Sequence, residues 1–111
     1  MNLFLEIESN DRGLASDVMG SRSLSLGQVA ALAPDVSIQY RGSVIRKHFG
    51  AAEVTEFMIA FGAGVTANYV AALLYEKLHG RADRVSIDRV DVRFNDKGEI
   101  ERVISERIKR G

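Results

Sequence analysis

The sharpest chemical motif in this chain is Gly62-Ala63-Gly64-Val65-Thr66-Ala67. It fits G-x-G-x-x-A, in which glycines let a tight turn bring backbone amides against a pyrophosphate at a helix N-terminus. An apolar run, Phe57 to Phe61, precedes it, and a helix is expected after it. Asp88 follows Gly64 by 24 residues, where a ribose-binding acid would sit. Two features argue the other way. Glu53, Val54, Glu56 and Phe57 are spaced as on a helix rather than a strand, and the chain is too short for two mononucleotide halves. Small residues that let two helices pack closely are the preferred explanation. A nucleotide-binding domain using the Gly62–Gly64 loop is the alternative.

The remaining chemistry-bearing residues form no recognisable catalytic or metal set. His48 and His79 are far apart, no H-E-x-x-H is present, and Asp88 and Asp91 are too few for a metal. His48 reads as a surface histidine in a basic loop, and His79 as a cation at a helix C-terminus. Serines are plentiful, but no G-x-S-x-G elbow occurs. The chain has no cysteine, which excludes disulfide scaffolds, thiolate zinc sites and cysteine nucleophiles. Glu6 and Glu8 share a strand face and are expected to be solvated or paired. No catalytic residue, metal or cofactor is predicted.

One basic cluster stands out. Between Arg41 and Phe49, four of nine residues carry or can carry positive charge: Arg41, Arg46, Lys47 and His48. Tyr40 and Phe49 flank them, an arrangement that suits phosphate contact with aromatic stacking. The whole chain, however, has 15 Lys plus Arg against 15 Asp plus Glu, a formal charge of zero. That disfavours a nucleic-acid partner and leaves an acidic protein partner or a solvated loop.

With 111 residues, 46% hydrophobic and 27% charged, the chain is expected to be one globular domain spanning residues 1–111. The N-terminus lacks a basic region and acquires charge at Glu6, so it does not read as a signal peptide, and a cytoplasmic location is expected. The 19 residues from Phe57 to Tyr75 are uncharged and long enough to cross a bilayer. They also contain two glycines, five alanines, Thr66 and Asn68, so a buried helix hairpin is preferred to a membrane-active subunit inserting residues 57–75.

These residues need elements to position them. Leu3, Leu5 and Ile7 alternate with Glu6 and Glu8, predicting a strand over 2–8. Leu14 and Val18 predict a short helix ending at Gly20. Leu26, Val29, Ala30 and Ala33 suggest a second helical piece over 23–33, stopped by Pro34. Val36, Ile38 and Tyr40 alternate as a strand, and Ser43–Phe49 reads equally as loop or short strand. Two helices are expected over about 51–61 and 65–79, because two glycines in one helix interior would cost roughly 2 kcal/mol. His79 and Gly80 end the second. Val85 and Ile87 have opposite parity to Val90, Val92 and Phe94, so a two-residue hairpin at Asp88-Arg89 is expected. Asp96 and Glu99 form a capping box ahead of a helix striped by Ile100, Val103, Ile104 and Ile108. The expected fold is α+β, in the order β-α-β-α-α-β-β-α. A mixed sheet of about four strands packs against a small-residue helix pair and a C-terminal amphipathic helix, and a ferredoxin-like or related split arrangement fits.

Three stretches carry a family resemblance: Gly50 to Phe57, Phe61-Gly62-Ala63-Gly64-Val65, and Leu73-Leu74-Tyr75-Glu76-Lys77-Leu78, followed by the hairpin. Over residues 36–94 the chain resembles the bacterial effector-associated constant component domains of conflict and signalling systems. That resemblance implies a non-catalytic module that recruits or couples an effector, and it transfers no catalytic residue. The expected function is therefore a non-enzymatic, self-associating protein-interaction module, adaptor or immunity-like. Its contact residues are expected among Gly62, Gly64, Ala67, Ala71, Arg41, Arg46 and Lys47.

Overall fold

The computed structural model describes residues 1–47 and 51–110. It contains six strands and three helices: β1 (Asn2–Ser9), α1 (Leu14–Met19), β2 (Val29–Ala33), β3 (Val36–Lys47), β4 (Ala51–Phe61), α2 (Ala67–Leu78), β5 (Arg84–Ile87), β6 (Val90–Val92) and α3 (Lys97–Arg110). All six strands form one sheet in the order β2-β3-β4-β1-β5-β6, and every neighbouring pair is antiparallel. The fold is α+β, as expected. Six strands replace the expected four, the sheet is antiparallel rather than mixed, and the order is β-α-β-β-β-α-β-β-α.

Two of the expected helices are strands. The segment expected as a helix over 51–61 is β4, paired with β3 along one edge and β1 along the other. The small-residue helix pair therefore does not exist. Spacings of three and four at Glu53, Val54, Glu56 and Phe57 hid a period of two. Thr55, Phe57, Ile59 and Phe61 are buried on one face, while Glu56, Met58 and Ala60 lie half-buried on the other. A continuous apolar run such as 57–61 satisfies either period, and its tertiary pairing decides. Likewise, the helix expected over 23–33 is turns followed by β2, whose Ala30 and Ala31 pair with Ile38 and Ser37. Alanine-rich sequence favours helix locally, but the hydrogen bonds offered by β3 override that preference.

Elsewhere the local rules hold. Gly20 closes α1 at φ 66°, and Gly80 follows α2 at φ 78°. Thr66 caps α2, its hydroxyl accepting from Tyr69 N–H. Asp88 and Arg89 both have positive φ, 49° and 69°, which makes the β5–β6 connection the expected two-residue hairpin. Ahead of α3, Asp96 Oδ1 accepts from the N–H groups of Gly98 and Glu99. The Glu99 side chain does not return to the cap; it pairs instead with Arg93 at 3.3 Å.

The three helices share one face of the sheet. Their buried residues, among them Leu14, Val18, Val70, Leu74, Ile100 and Ile104, join Leu3, Leu5, Ile7, Ile38, Phe57, Ile59, Val85 and Ile87 in a single core. Because β4 and β5 are both antiparallel to β1, they are parallel to each other, and α2 connects them with β1 between. This is a split β-α-β unit.

Candidate interaction surface

Among the described residues, no helix packs on the opposite face of the sheet. Strand parity puts Phe4, Glu6 and Glu8 of β1 there, with Val54, Glu56, Met58 and Ala60 of β4, Ser86 of β5 and Asp91 of β6. Register aligns them into cross-strand rows. Phe4 stands opposite Met58, which stands opposite Gln39, which stands opposite Val29. One step along, Asp91, Ser86, Glu6, Glu56 and Gly42 form the next row. Beyond it lie Arg84, Glu8, Val54 and Val44, of which Val54 is buried at 2% exposure.

The middle row breaks a packing rule. Glu6 and Glu56 are direct cross-strand partners, and like charges in that position repel. Among the described residues, neither they nor Glu8 joins an ion pair; the nearest one on this face is Arg84 Nη2 to Asp91 Oδ2 at 3.3 Å. Large apolar side chains border the row, with Val29 60% and Val44 61% exposed.

The sheet edge adds a second feature. β2 pairs with β3 only through Gln39 in the ladder, with one further pair of backbone bonds between Tyr40 and the 27–28 turn. β3 then continues to Lys47 with β4 as its neighbour on one side alone. The change occurs at a bulge between Tyr40 and Gly42. Gly42 has φ 122°, a left-handed backbone that favours glycine, and the exposed Leu26 side chain lies close beside it. On the helix side, the bulge brings Tyr40 Oη within 2.8 Å of Ser43 Oγ, which lies 3.0 Å from Thr55 Oγ1. This hydroxyl chain satisfies the buried Thr55 where the hydrophobic core ends.

The expected contact residues fall in different places. Arg41 is exposed at the bulge. Arg46 and Lys47 are at the far end of β3, opposite Ala52 and Ala51 in register. His48 lies outside the described residues. Gly62 and Gly64 are exposed in the β4–α2 loop, with nothing within 4 Å of an added Cβ and no positive φ. They do not bring two helices together. Ala67 is half-buried in the first turn of α2, and Ala71 is wholly buried in the core. The 57–75 segment is divided among β4, a loop and α2, and no helix among the described residues is long and apolar enough to cross a membrane.

Two polar clusters serve the architecture. Asp88 Oδ1 accepts from Phe4 N–H at 2.8 Å, Asp88 N–H donates to Phe4 O at 2.7 Å, and Arg107 Nε donates to Asp88 Oδ2. Both carboxylate oxygens are thus committed to holding the hairpin turn onto β1 and α3. The second cluster clasps the β1–α1 and α2–β5 connections. Arg81 reaches Asp11 at 2.8 Å and Asp17 at 2.7 Å, while Ser9 Oγ donates to Arg81 O at 2.6 Å. The hydrogen bond from Arg81 holds the Asp11 carboxyl below its usual pKa, and the same partners raise Arg81. The groove between α3 and the β5–β6 hairpin has a volume of about 270 Å³; Val90 and Val103 line it with Arg102, Arg107 and Arg110. Among the described residues, no group of three or more His, Cys, Asp or Glu is placed to hold a metal.

No protein-family model matches this chain, and neither a curated protein nor a solved structure does.

Proposed function

We propose that this chain is a non-enzymatic protein-interaction module, adaptor or immunity-like, of a bacterial conflict or signalling system, and that it self-associates in the cytoplasm. The observation that carries this reading is the two-sidedness of the sheet. One face is packed by three helices around one core, while the other presents apolar and charged rows with no helix of the described residues over them. A β-sheet face with exposed valines and the opposed carboxylates of Glu6 and Glu56 is suited to receive another polypeptide. The resemblance of residues 36–94 to effector-associated constant component domains supports the same class of role.

The nucleotide-binding alternative gains one point and loses another. The Gly62–Gly64 loop does connect a strand to a helix, but Asp88, its expected ribose acid, is spent on Phe4 and Arg107. The interaction reading is tested by tagged purification from the native host, with mass spectrometry of co-eluting proteins and light scattering of the eluted particle. A stoichiometric partner or a multiple of the 12.2 kDa chain mass is expected. A lone monomer at every concentration would defeat it.

A further inference from the structure

We propose that two copies of this chain join edge to edge through the outer half of β3. Residues 43–47 of one copy pair antiparallel with residues 43–47 of the other, about a two-fold axis at Ile45. The proposal rests on the interaction-module reading; it names the partner as a second copy and the contact as a backbone ladder.

The direction of the backbone groups along β3 follows from two sets of bonds. Tyr40 N–H donates to Gln28 O at 2.9 Å, and Tyr40 O accepts from Gly27 N–H at 2.8 Å, both on the side away from β4. On β4, Phe61 N–H donates to Met1 O at 3.0 Å and Phe61 O accepts from the Met1 amine at 2.9 Å, so Phe61 addresses the β1 side. Backbone groups alternate sides along an antiparallel strand, and β4 keeps unbroken register with β1 from Ala60 to Glu53. The odd-numbered residues of β4 therefore bond toward β1, and Ala52, Val54 and Glu56 bond toward β3. Their register partners are Arg46, Val44 and Gly42. Ser43, Ile45 and Lys47 are left with N–H and C=O turned outward, and among the described residues nothing pairs with them.

An open run of this kind is a template for another strand. Val44 and Ile45 strengthen it, since both are more than half exposed and lie on opposite faces of the sheet. The other edge strand, β6, is only three residues long. β2 and its preceding turn occupy the β3 edge as far as Tyr40, so the open length is that of residues 43–47. The same residues of a second copy match that length. A two-fold axis at Ile45 sets Ile45 against its own copy and Ser43 against Lys47. All the outward N–H and C=O groups of these residues are then paired, in the antiparallel sense that runs through the whole sheet. Ile45, exposed in one chain alone, becomes an apolar cross-strand pair. The register also sets Arg46 opposite Val44, so no two cations among the paired residues are direct partners.

The test combines light scattering and sedimentation of the whole chain with the variants Ile45→Cys, Val90→Cys and Ile45→Pro. The wild type is expected to be a dimer. The chain has no cysteine, and Cα atoms of a hydrogen-bonded antiparallel pair lie about 5.5 Å apart, within disulfide reach. Ile45→Cys is therefore expected to be trapped as a linked dimer on mild oxidation, and Val90→Cys, on the opposite edge, to stay unlinked. Ile45→Pro removes an outward N–H and leaves the β3–β4 bonds in place, a position where an edge strand accepts proline. It is expected to fold, as read by circular dichroism, and to dimerise at least tenfold more weakly. Amide hydrogen exchange of the wild type needs no variant: Ser43, Ile45 and Lys47 are expected to exchange slowly in the dimer and fast on dilution. If Ile45→Pro does not fold, the cross-link and the exchange decide. A wild-type dimer with fast exchange at Ser43 and Ile45 and no cross-link through Ile45→Cys would overturn this edge and leave self-association standing. A wild-type monomer at every concentration would overturn the proposal, while a different stoichiometric partner in the co-purification would still support the interaction module.

Discussion

The two faces of the sheet are built from the same strands, yet they obey different rules. On the helix side of β4, Phe57 and Ile59 are 0% exposed and belong to the single hydrophobic core. One residue away, Glu56 and Met58 face the other direction and are only half-buried, with charge set against charge. The first face is where stability resides. The second tolerates a local electrostatic penalty, Glu6 set against Glu56.

The sharpest way to break that comparison is a matched pair of truncations. Phe57→Ala removes a fully buried ring and is expected to destabilise the fold by about 3–5 kcal/mol, a large part of what a domain of this size possesses. Met58→Ala, its immediate neighbour, is expected to cost about 1 kcal/mol or less, since surface truncations rarely do more. Urea denaturation of both variants, followed by circular dichroism, measures the difference in midpoint. Equal losses would mean that the helix-free face is covered after all.

An effect confined to acid pH separates the clasp from both faces. Asp11 has a depressed pKa because Arg81 donates to its carboxylate. A group whose folded pKa lies below its unfolded value stabilises the fold above the unfolded value, near 3.9. That contribution is lost as pH falls through the lower, folded value. Arg81→Gln should therefore flatten the decline in thermal midpoint between about pH 4 and pH 2. At neutral pH it should lower the midpoint only modestly, because both side chains are about a third exposed and the pair is screened by solvent. A decline identical in wild type and variant would assign acid sensitivity elsewhere.

Much of this architecture is legible in the sequence, for identifiable reasons. β1, α1, the start of β3, α2, the Asp88-Arg89 hairpin and α3 all carry a clean period or a strong stop signal. β4 was hidden because Phe57–Phe61 is apolar on both faces and Glu53 and Glu56 happen to fall three apart. β2 was hidden because its alanines prefer helix until β3 is beside them. The surface was harder to read than the fold. Glu6 and Glu56 come from β1 and β4, some 50 residues apart, and meet only through register. Gly62 and Gly64 drew attention as a motif, yet their loop has open space around it. The alternation of Glu6 and Glu8 with leucines was the one available sign that β1 has a charged face.

The smallest expected effect tests the hairpin that closes the sheet. Arg89 has φ 69° without being glycine, a conformation that costs an ordinary residue about 1–2 kcal/mol in the left-handed region. The turn persists because Asp88 is fixed at three points, to Phe4 N–H, Phe4 O and Arg107. Arg89→Gly relieves the strain and creates Asp-Gly, a favoured pair for this turn. Glycine also gains freedom in the unfolded chain, which offsets part of the benefit. A net stabilisation of about 0.5–1 kcal/mol is expected, read as a raised urea midpoint with unchanged slope. A lowered midpoint would mean that the Arg89 side chain contributes more to the turn than its strained backbone costs.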